Sequence, residues 1–211
     1  MKTVLLTGFE PFGGHASNPS QIIAEHLRDR VLHKHRVVGA TLACEFGKSL
    51  RQLKTLMKEH QPALVICLGL AGGRDAITPE RVAINVDDAR IPDNAGVQHA
   101  GKPVVRGGPV AYWSTLPVKA IASALMERGI PAAVSQTAGT FVCNHVFYGL
   151  MHELAKQPGS TRGGFIHVPY LAGSGESPAL SLETMVDGIA LAIGTALRRK
   201  KDQGDAAGSL H

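Results

Sequence analysis

Ala63-Leu64-Val65-Ile66-Cys67-Leu68-Gly69 forms an unbroken apolar run in the first third of the 211-residue chain. A strand with one face in water alternates apolar and polar residues, whereas a strand covered on both faces is apolar throughout. The run therefore predicts a strand inside a sheet that is covered on both faces.

Strand-like and helix-like segments alternate around this run. The first helical segment opens at Asn18-Pro19, an N-cap residue followed by a proline at the first helical position. The predicted strands are Val4 to Phe9, His35 to Ala43, Ala132 to Gln136 and Gly164 to Val168, and the predicted helices run from Asn18 to about Arg30, from Leu50 to His60, from Val118 to Leu125, from Asn144 to Ala155 and from Leu182 to Leu197. This order predicts an α/β fold with a mostly parallel sheet and helices on both faces.

Residues 74 to 112 interrupt the alternation. They are rich in Asp, Asn, Pro and Gly, with one short strand predicted at Val82 to Val86. A loop this long in a compact domain usually serves a function. In parallel sheets the active site gathers outside the carboxyl ends of the strands, which is where we expect it here.

The composition indicates one soluble domain. The chain is 44% hydrophobic and 18% charged, which suits a single domain over residues 1–200, with a disordered tail at 201–211. Neither a signal peptide nor an apolar run of about 18 to 20 residues is found, so we expect a cytoplasmic protein. The three cysteines, Cys44, Cys67 and Cys143, are too widely spaced for a disulfide framework or a zinc knuckle and are expected to be reduced.

The net charge of +5 raises the question of nucleic-acid binding. Four basic residues form the run Arg198-Arg199-Lys200-Lys201, and aromatic residues make up 5% of the chain. Without aromatic residues between the basic ones there is no platform for stacking bases. The basic run fits better the solvated end of the last helix.

Cys143 lies where the strand-like stretch from Ser135 passes through small residues into a helix. A helix N-terminus carries roughly half a positive charge and free N–H groups, which favour a thiolate and can hold an oxyanion. Most buried cysteines are nevertheless inert small hydrophobic residues. Cys143 is therefore a candidate nucleophile that needs a base.

His167 ends the strand Gly164 to Val168, at the sheet edge where the stretch before Cys143 also ends. Two neighbouring strand ends can bring these side chains within hydrogen-bond reach. His145 is a competitor, but two residues beyond Cys143 on a helix it points to another face. A purely structural role for His167 remains an alternative.

Glu80 is the candidate for the acid that orients the histidine. It follows the strand at 63–69 and precedes the apolar Val82 to Val86. A carboxylate entering a buried segment needs a partner. That partner could be the histidine or, alternatively, Arg74 or Arg81 in a salt bridge.

Five motifs of this chain closely resemble those of bacterial pyrrolidone carboxyl peptidases, also called pyroglutamyl peptidase I. They occur in the same order between about Leu5 and Tyr170 and are far more specific than one Cys–His pair. The motifs are Gly8-Phe9-Glu10-Pro11-Phe12-Gly13-Gly14, Gly72-Gly73-Arg74 with Pro79-Glu80-Arg81-Val82-Ala83-Ile84-Asn85, Asp88-Ala89-Arg90-Ile91-Pro92-Asp93-Asn94, Thr137-Ala138-Gly139-Thr140-Phe141-Val142-Cys143-Asn144-His145, and Gly163-Gly164-Phe165-Ile166-His167-Val168-Pro169-Tyr170.

The resemblance implies a catalytic triad and a lactam pocket. The triad positions match Glu80, Cys143 and His167. The positions implied for the substrate pocket are Phe9, Phe12 and Phe141, which would border it, Asn18, which would hold the Phe12 loop, and Arg90 on the oxyanion side. The resemblance also implies a three-layer α/β/α fold, no metal or other cofactor, a cytoplasmic location and a homotetramer.

The implied activity is that of a cysteine omega-peptidase, which removes an N-terminal pyroglutamyl residue from peptides through a thioester. Two alternatives remain: a metal-dependent hydrolase using His145, His167 and a carboxylate, and a non-catalytic small-molecule binding protein on the same fold. No metal-ligand spacing in the sequence supports the first.

This chain departs from the family pattern at two places. Some relatives carry glutamine where this chain has Leu70, so polar help from that side chain is absent. The segment Leu171 to Ser177 is shorter than in many relatives, so substrate exit or subunit contacts could differ.

Overall fold

The fold was analysed in a computed structural model, which describes residues 1–156, 159, 161–202, 204, 206 and 208. The strands in this part of the chain are β1 (Lys2–Phe9), β2 (Val31–Leu32), β3 (His35–Leu42), β4 (Leu64–Leu70), β5 (Thr78–Pro79), β6 (Val82–Ile84), β7 (Ala111–Trp113), β8 (Arg162–Val168), β9 (Tyr170–Leu171) and β10 (Ala179–Leu180). The helices are α1 (Pro19–Leu27), α2 (Lys48–His60), α3 (Val118–Glu127), α4 (Val142–Lys156) and α5 (Leu182–Arg198).

The apolar run of the sequence is a central strand, as predicted. The main sheet has the order β2-β3-β1-β4-β8-β5, and all seven residues of β4 are buried. The four long strands β3, β1, β4 and β8 are parallel, while the two-residue edge strands β2 and β5 are antiparallel to their neighbours. The prediction of a mostly parallel sheet is confirmed.

Helices cover both faces of the sheet and create two cores. Alternate residues of β1 point to opposite sides, so that Leu6 packs with α1, α3 and α5 whereas Leu5 packs with α2 and α4. On the first side, Ile23, Leu125 and Ile189 represent the three helices in the core. The three-layer α/β/α architecture is therefore confirmed.

The strand predicted at Ala132 to Gln136 is not formed. This segment runs beside residues 77–81 and makes two isolated bridges, Ile77 to Ala132 and Glu80 to Ser135. Pro79 in the facing segment has no N–H to donate, so a regular ladder cannot continue. The segment is extended and near the sheet edge, but it is not a sheet strand.

Two smaller boundaries also differ from prediction. Helix α1 ends at Leu27, three residues before Arg30, and Asp29 follows with a positive φ of 63° that breaks the helical conformation. The strand predicted at Val82 to Val86 forms over three residues as β6, which pairs with β7 outside the main sheet.

The predicted tail at 201–211 lies largely outside the described residues. Its described part includes Asp202, whose carboxylate accepts the N–H groups of Lys119 and Ala120, each at 3.0 Å, at the start of α3. Disorder of the tail stays a prediction. Among the helices described, none is long and apolar enough to cross a membrane.

Candidate active site

The carboxyl ends of β4 and β8 form the floor of the candidate site. The two strands are paired in parallel register from Leu64 to Leu70, and Gly69 lies opposite His167. Helix α4 covers this face of the sheet and carries Cys143 as its second residue. The site thus lies where parallel sheets generally place their active sites.

The sulfur of Cys143 rests directly on the backbone of β4. A Cβ atom built on Gly69 would lie 2.8 Å from Cys143 Sγ and 2.8 Å from Phe165 Cζ, closer than real Cβ atoms come to such neighbours. Only glycine therefore leaves room for the sulfur without a shift of its neighbours. The apolar run that predicts the central strand ends at the residue that admits the nucleophile.

His167 projects from β8 beside this sulfur. Register partners in a parallel sheet are about 4.8 Å apart and point their side chains to the same face, so His167 shares the face on which the sulfur contacts Gly69. The imidazole also packs on Phe165, with ring centroids 4.8 Å apart. The structure therefore brings Cys143 and His167 to one place, as the sequence predicts.

Glu80 lies behind the histidine and is fully buried. Its Oε1 is 2.7 Å from His167 Nδ1 and also accepts a 2.6 Å hydrogen bond from Nη1 of Arg74. Two of the three partners considered from the sequence, His167 and Arg74, thus bind the same oxygen. With Nδ1–H donating to the carboxylate, Nε2 of His167 is the nitrogen left to accept a proton.

Arg74 links this pair to the segment before the cysteine. Its Nη2 donates to the carbonyl oxygen of Thr137 at 2.9 Å, and its Nη1 donates to Oγ1 of Thr78 at 2.6 Å. One guanidinium therefore holds Glu80, β5 and the turn that leads into α4. The sequence offers Arg74 only as a salt-bridge partner and gives no signal for the contact with Thr137.

The thiol of Cys143 is held in its neutral form. Burial raises its pKa well above the ordinary value, and the negative charge of Glu80 acts in the same direction, whereas the charge of Arg74 opposes it. The direction is opposite to the one expected from the helix N-terminus alone, because desolvation outweighs it. A base must therefore remove the thiol proton before attack.

Three phenylalanines named from the sequence lie around the site at different depths. Phe12 and Phe141 are both partly exposed, and their ring centroids are 6.0 Å apart. Phe9 is only 1% exposed and packs on Phe165, with centroids 6.4 Å apart. Phe12 and Phe141 can therefore contact a ligand, while Phe9 supports the floor from the core.

Asn18 shapes the loop that carries Phe12. Its Oδ1 accepts the N–H of Ser20 at 3.1 Å and caps α1, and its Nδ2 donates to the carbonyl of Glu10 at 3.1 Å. Through these two hydrogen bonds the amide joins both ends of the loop, and at 1% exposure it is shielded from water. The role predicted for Asn18 in holding the Phe12 loop at the substrate pocket stays a prediction.

Arg90 is exposed on the loop between β6 and β7. Among the described residues, none of the hydrogen bonds or ion pairs joins it to Cys143 or His167. Its place on the oxyanion side stays a prediction.

His145, the competing histidine, belongs to a separate cluster. Its Nδ1 is 2.9 Å from Asp87 Oδ2, and its Nε2 accepts the N–H of Gly47 at 3.0 Å. Because a backbone N–H occupies Nε2, the ring is the neutral Nδ1–H tautomer. His145 therefore ties α4 to two loops and makes no contact with Glu80. In the described part of the chain, no group of three or more His, Cys, Asp or Glu is placed to hold a metal ion.

The chain is similar over its whole length to peptidases of one family. The model of the family "Pyroglutamyl peptidase" matches residues 2–199. A pyrrolidone-carboxylate peptidase of Bacillus cytotoxicus is 53% identical over 215 residues, and one of Bacillus mycoides is 50% identical, each covering 100% of both chains.

The solved structures similar to this chain are of peptidases with the same names. The crystal structure of pyroglutamyl peptidase I from Bacillus amyloliquefaciens superposes with a TM-score of 0.95 at 47% identity and covers 97% of this chain and 99% of that one. Pyrrolidone carboxyl peptidase from Thermococcus litoralis gives a TM-score of 0.91 at 39% identity, with 94% of each chain covered. This chain belongs to the pyroglutamyl peptidase family and is an enzyme of the pyroglutamyl-peptidase I type.

Proposed function

We propose that this protein removes N-terminal pyroglutamyl residues from peptides, with Cys143 as nucleophile, His167 as general base and acid, and Glu80 as the group that orients His167. The observation that carries the proposal is the 2.7 Å hydrogen bond between His167 and the buried Glu80, on the sheet face where the Cys143 sulfur lies against Gly69. Nucleophile, base and orienting acid on one edge form the arrangement that acyl transfer requires.

The first half of the reaction forms a thioester. Nε2 of His167 takes the thiol proton as Sγ of Cys143 bonds to the scissile carbonyl carbon, whose oxygen becomes an oxyanion. The oxyanion then collapses, the C–N bond breaks, and the imidazolium gives its proton to the leaving amine. The peptide leaves, and the pyroglutamyl group stays on sulfur.

The second half returns the enzyme to its starting state. His167 takes a proton from a water molecule as the water oxygen attacks the thioester carbonyl. The C–S bond breaks, pyroglutamate leaves, and the thiolate regains the proton from the imidazolium. Each step needs a His167 side chain that can alternate between neutral imidazole and protonated imidazolium.

Glu80 makes that alternation possible. An imidazolium next to a fully buried carboxylate is stabilised by the opposite charge, and the hydrogen bond through Nδ1 leaves Nε2 as the nitrogen that exchanges the proton. Arg74 donates to the same carboxylate and keeps it from lying unpaired when His167 is neutral.

The oxyanion is assigned to backbone N–H groups at the start of α4. The first turn of a helix has donors without an intrahelical acceptor, and its dipole favours negative charge there. Arg90 is proposed as an additional cation on this side, in keeping with the resemblance of its motif.

The substrate ring is assigned to the partly exposed pair Phe12 and Phe141. Pyroglutamate lacks the charged α-amine of an ordinary N-terminus, so apolar walls and a few backbone hydrogen bonds suffice. A free ammonium in the same place would lose its hydration without a partner carboxylate. Selection for a blocked N-terminus follows from this cost.

We further propose a single catalytic domain over residues 1–200, a cytoplasmic location and a homotetramer. Exposed apolar side chains on and next to β7 support an assembly, since Trp113 is 68% and Val110 is 87% exposed. Sedimentation of the purified protein tests the tetramer.

Hydrolysis of a fluorogenic pyroglutamyl amide tests the activity. We expect turnover by the purified protein, none by Cys143→Ala, and turnover unaffected by a chelator. Cys67→Ala is the matched control, because Cys67 is a buried thiol inside β4. Activity that survives in Cys143→Ala would overturn the assignment, and loss on chelation would favour the metal-dependent alternative.

A further inference from the structure

Phe141, one of the two rings assigned to the substrate, lies just before α4. Its carbonyl oxygen accepts the N–H of His145 at 3.1 Å, which fixes the backbone at the start of the helix. The side chain is partly exposed, so contacts with neighbouring rings decide where it lies. The ring centroid is 6.0 Å from that of Phe12 and 5.5 Å from that of Phe46, whose plane is inclined to it by 88°. Both distances are within the range of favourable aromatic pairs.

The backbone of Phe46 is fixed by two buried side chains. Its own N–H donates to Oδ2 of Asp93 at 2.8 Å, and the N–H of the next residue, Gly47, donates to Nε2 of His145 at 3.0 Å. Hydrogen bonds shielded from water are electrostatically stronger than those exposed to it. The backbone that carries the Phe46 ring is therefore held in one place beside Phe141.

His99 stacks on the ring of Phe46. The centroids are 4.5 Å apart and the two planes are inclined by 26°. The buried carboxylate of Asp87 is near the same imidazole, with its Oδ2 3.5 Å from Nδ1 of His99. Because the stack limits rotation of the Phe46 side chain, His99 keeps that ring against Phe141.

We propose that Phe46, held by His99, is a positioning residue that acts through Phe141 and makes the substrate pocket selective for a five-membered lactam. The inference rests on the proposed function and adds a determinant of ring size that the function does not supply. Neither Phe46 nor His99 belongs to the triad or to the positions implied for the substrate pocket by the resemblance.

Selectivity for ring size depends on how far the walls of a pocket can yield. A six-membered lactam has one methylene group more than pyroglutamate, and one methylene group changes kcat/KM in an apolar pocket by roughly 10- to 200-fold. A wall that can retreat accepts the larger ring and loses part of this discrimination. Since Phe141 is partly exposed and rests on Phe46, removal of the Phe46 ring gives Phe141 room to retreat.

Two fluorogenic amides test the inference, one of pyroglutamate and one of its six-membered homologue, 6-oxopiperidine-2-carboxylic acid. The unmodified protein should prefer the five-membered substrate by roughly 10- to 200-fold in kcat/KM. Phe46→Leu keeps an apolar side chain but lacks the ring. It should lower this preference by roughly two- to tenfold, the contribution of one aromatic pair.

His99 provides a second test that leaves Phe46 and Phe141 unchanged. His99→Ala removes the stack on Phe46 and should also lower the preference, whereas His99→Phe keeps a stacked ring and should retain it. His152→Ala is the matched control, because this imidazole is likewise stacked on a ring, that of Tyr148, with planes inclined by 13°. Its preference should equal that of the unmodified protein.

The outcomes separate this inference from the proposed function. An unchanged preference in Phe46→Leu would overturn the inference and leave the peptidase activity intact, and an equal fall in His152→Ala would do the same. Far-UV circular dichroism checks folding, and His99→Ala decides the question if Phe46→Leu does not fold. Failure of the unmodified protein to cleave the pyroglutamyl amide would overturn the proposed function and the inference with it.

Discussion

Gly69 and Cys143 are in contact across the interface between the central strand and α4, with the position of a Gly69 Cβ only 2.8 Å from the sulfur. This contact fixes the height of the nucleophile above the sheet. His167 stands opposite Gly69 in the neighbouring strand, so one backbone position sets the place of both reacting side chains.

Gly69→Ala should lower kcat strongly while the protein stays folded. The added methyl group must displace the sulfur or Phe165, and a displacement of about 1 Å at the reacting atoms can cost roughly 100-fold. Gly188→Ala on α5 is the steric control, since its Cβ would meet Ile77 Cδ1 at 2.6 Å on the other face of the sheet. Equal kcat values for the two variants, with matching thermal unfolding curves, would refute the role of Gly69.

Glu80→Gln should reduce kcat by about 10³- to 10⁴-fold, because the amide keeps the shape of the carboxylate but cannot stabilise the imidazolium. Arg74→Lys keeps a positive charge beside Glu80 and should cost less. Steady-state rates and far-UV circular dichroism on the three proteins check this order. Retention of a tenth or more of the activity by Glu80→Gln would show that His167 does not need the charge.

The two histidines should respond in opposite ways to replacement. His145→Ala removes the 2.9 Å partner of Asp87 Oδ2, which keeps, among the described residues, only the longer 3.5 Å contact with His99. It also leaves the Gly47 N–H without its acceptor, and an unsatisfied group of this kind costs about 1 to 3 kcal/mol. We expect lower unfolding stability with kcat within about tenfold, the reverse of His167→Ala. Urea unfolding and kcat measured on both variants make the comparison. A stable but inactive His145→Ala protein would contradict it.

The buried thiols should make the protein less stable in alkali. Burial raises the pKa of Cys67 and of Cys44 to about 12, with nearby carboxylates adding to the effect at Cys44, whereas an unfolded thiol ionises near ~8.5. Above that pH the unfolded chain binds fewer protons than the folded one. Stability is therefore complete below about pH 8.5 and declines as pH rises towards the folded-state pKa, by about 1.4 kcal/mol per pH unit for each thiol.

Urea unfolding under reducing conditions between about pH 8 and 10 measures this decline. Cys67→Ala should reduce the slope of stability against pH by the contribution of one thiol, about 1.4 kcal/mol per pH unit. The variant is itself less stable at neutral pH. An unchanged slope in the variant would mean that Cys67 is not protonated in the folded state at these pH values.

Most strands and helices could be predicted from the sequence because the residue patterns that indicate them lie within one segment. The apolar run at 63–69 and the cap at Asn18-Pro19 each reflect the environment of one segment, and both are found as predicted. The segment Ala132 to Gln136 has the composition of a strand, but its pairing depends on the facing Pro79. The sequence of residues 132–136 does not show that the segment paired with it lacks an N–H donor at Pro79.

The candidate site was likewise predictable only in part. Strand ends in the sequence indicate that Cys143 and His167 lie close together, the position of Glu80 makes it a candidate acid, and the motif resemblance joins the three in one triad. The contact between Arg74 and Thr137 and the pair Asp87 and His145 join residues about 60 positions apart, so nothing near either residue signals them. The raised pKa of the Cys143 thiol likewise comes from burial, which the helix position alone does not reveal.

The covalent intermediate offers the most direct test of the central claim, that Cys143 is the nucleophile. The protein should be mixed with a pyroglutamyl amide, quenched in acid during turnover, digested and analysed by mass spectrometry. We predict one pyroglutamyl group in thioester linkage on the peptide that contains Cys143, and none on that peptide in Cys143→Ser. Turnover with the group attached to Cys44, or undiminished turnover by the Cys143→Ser protein, would contradict the claim.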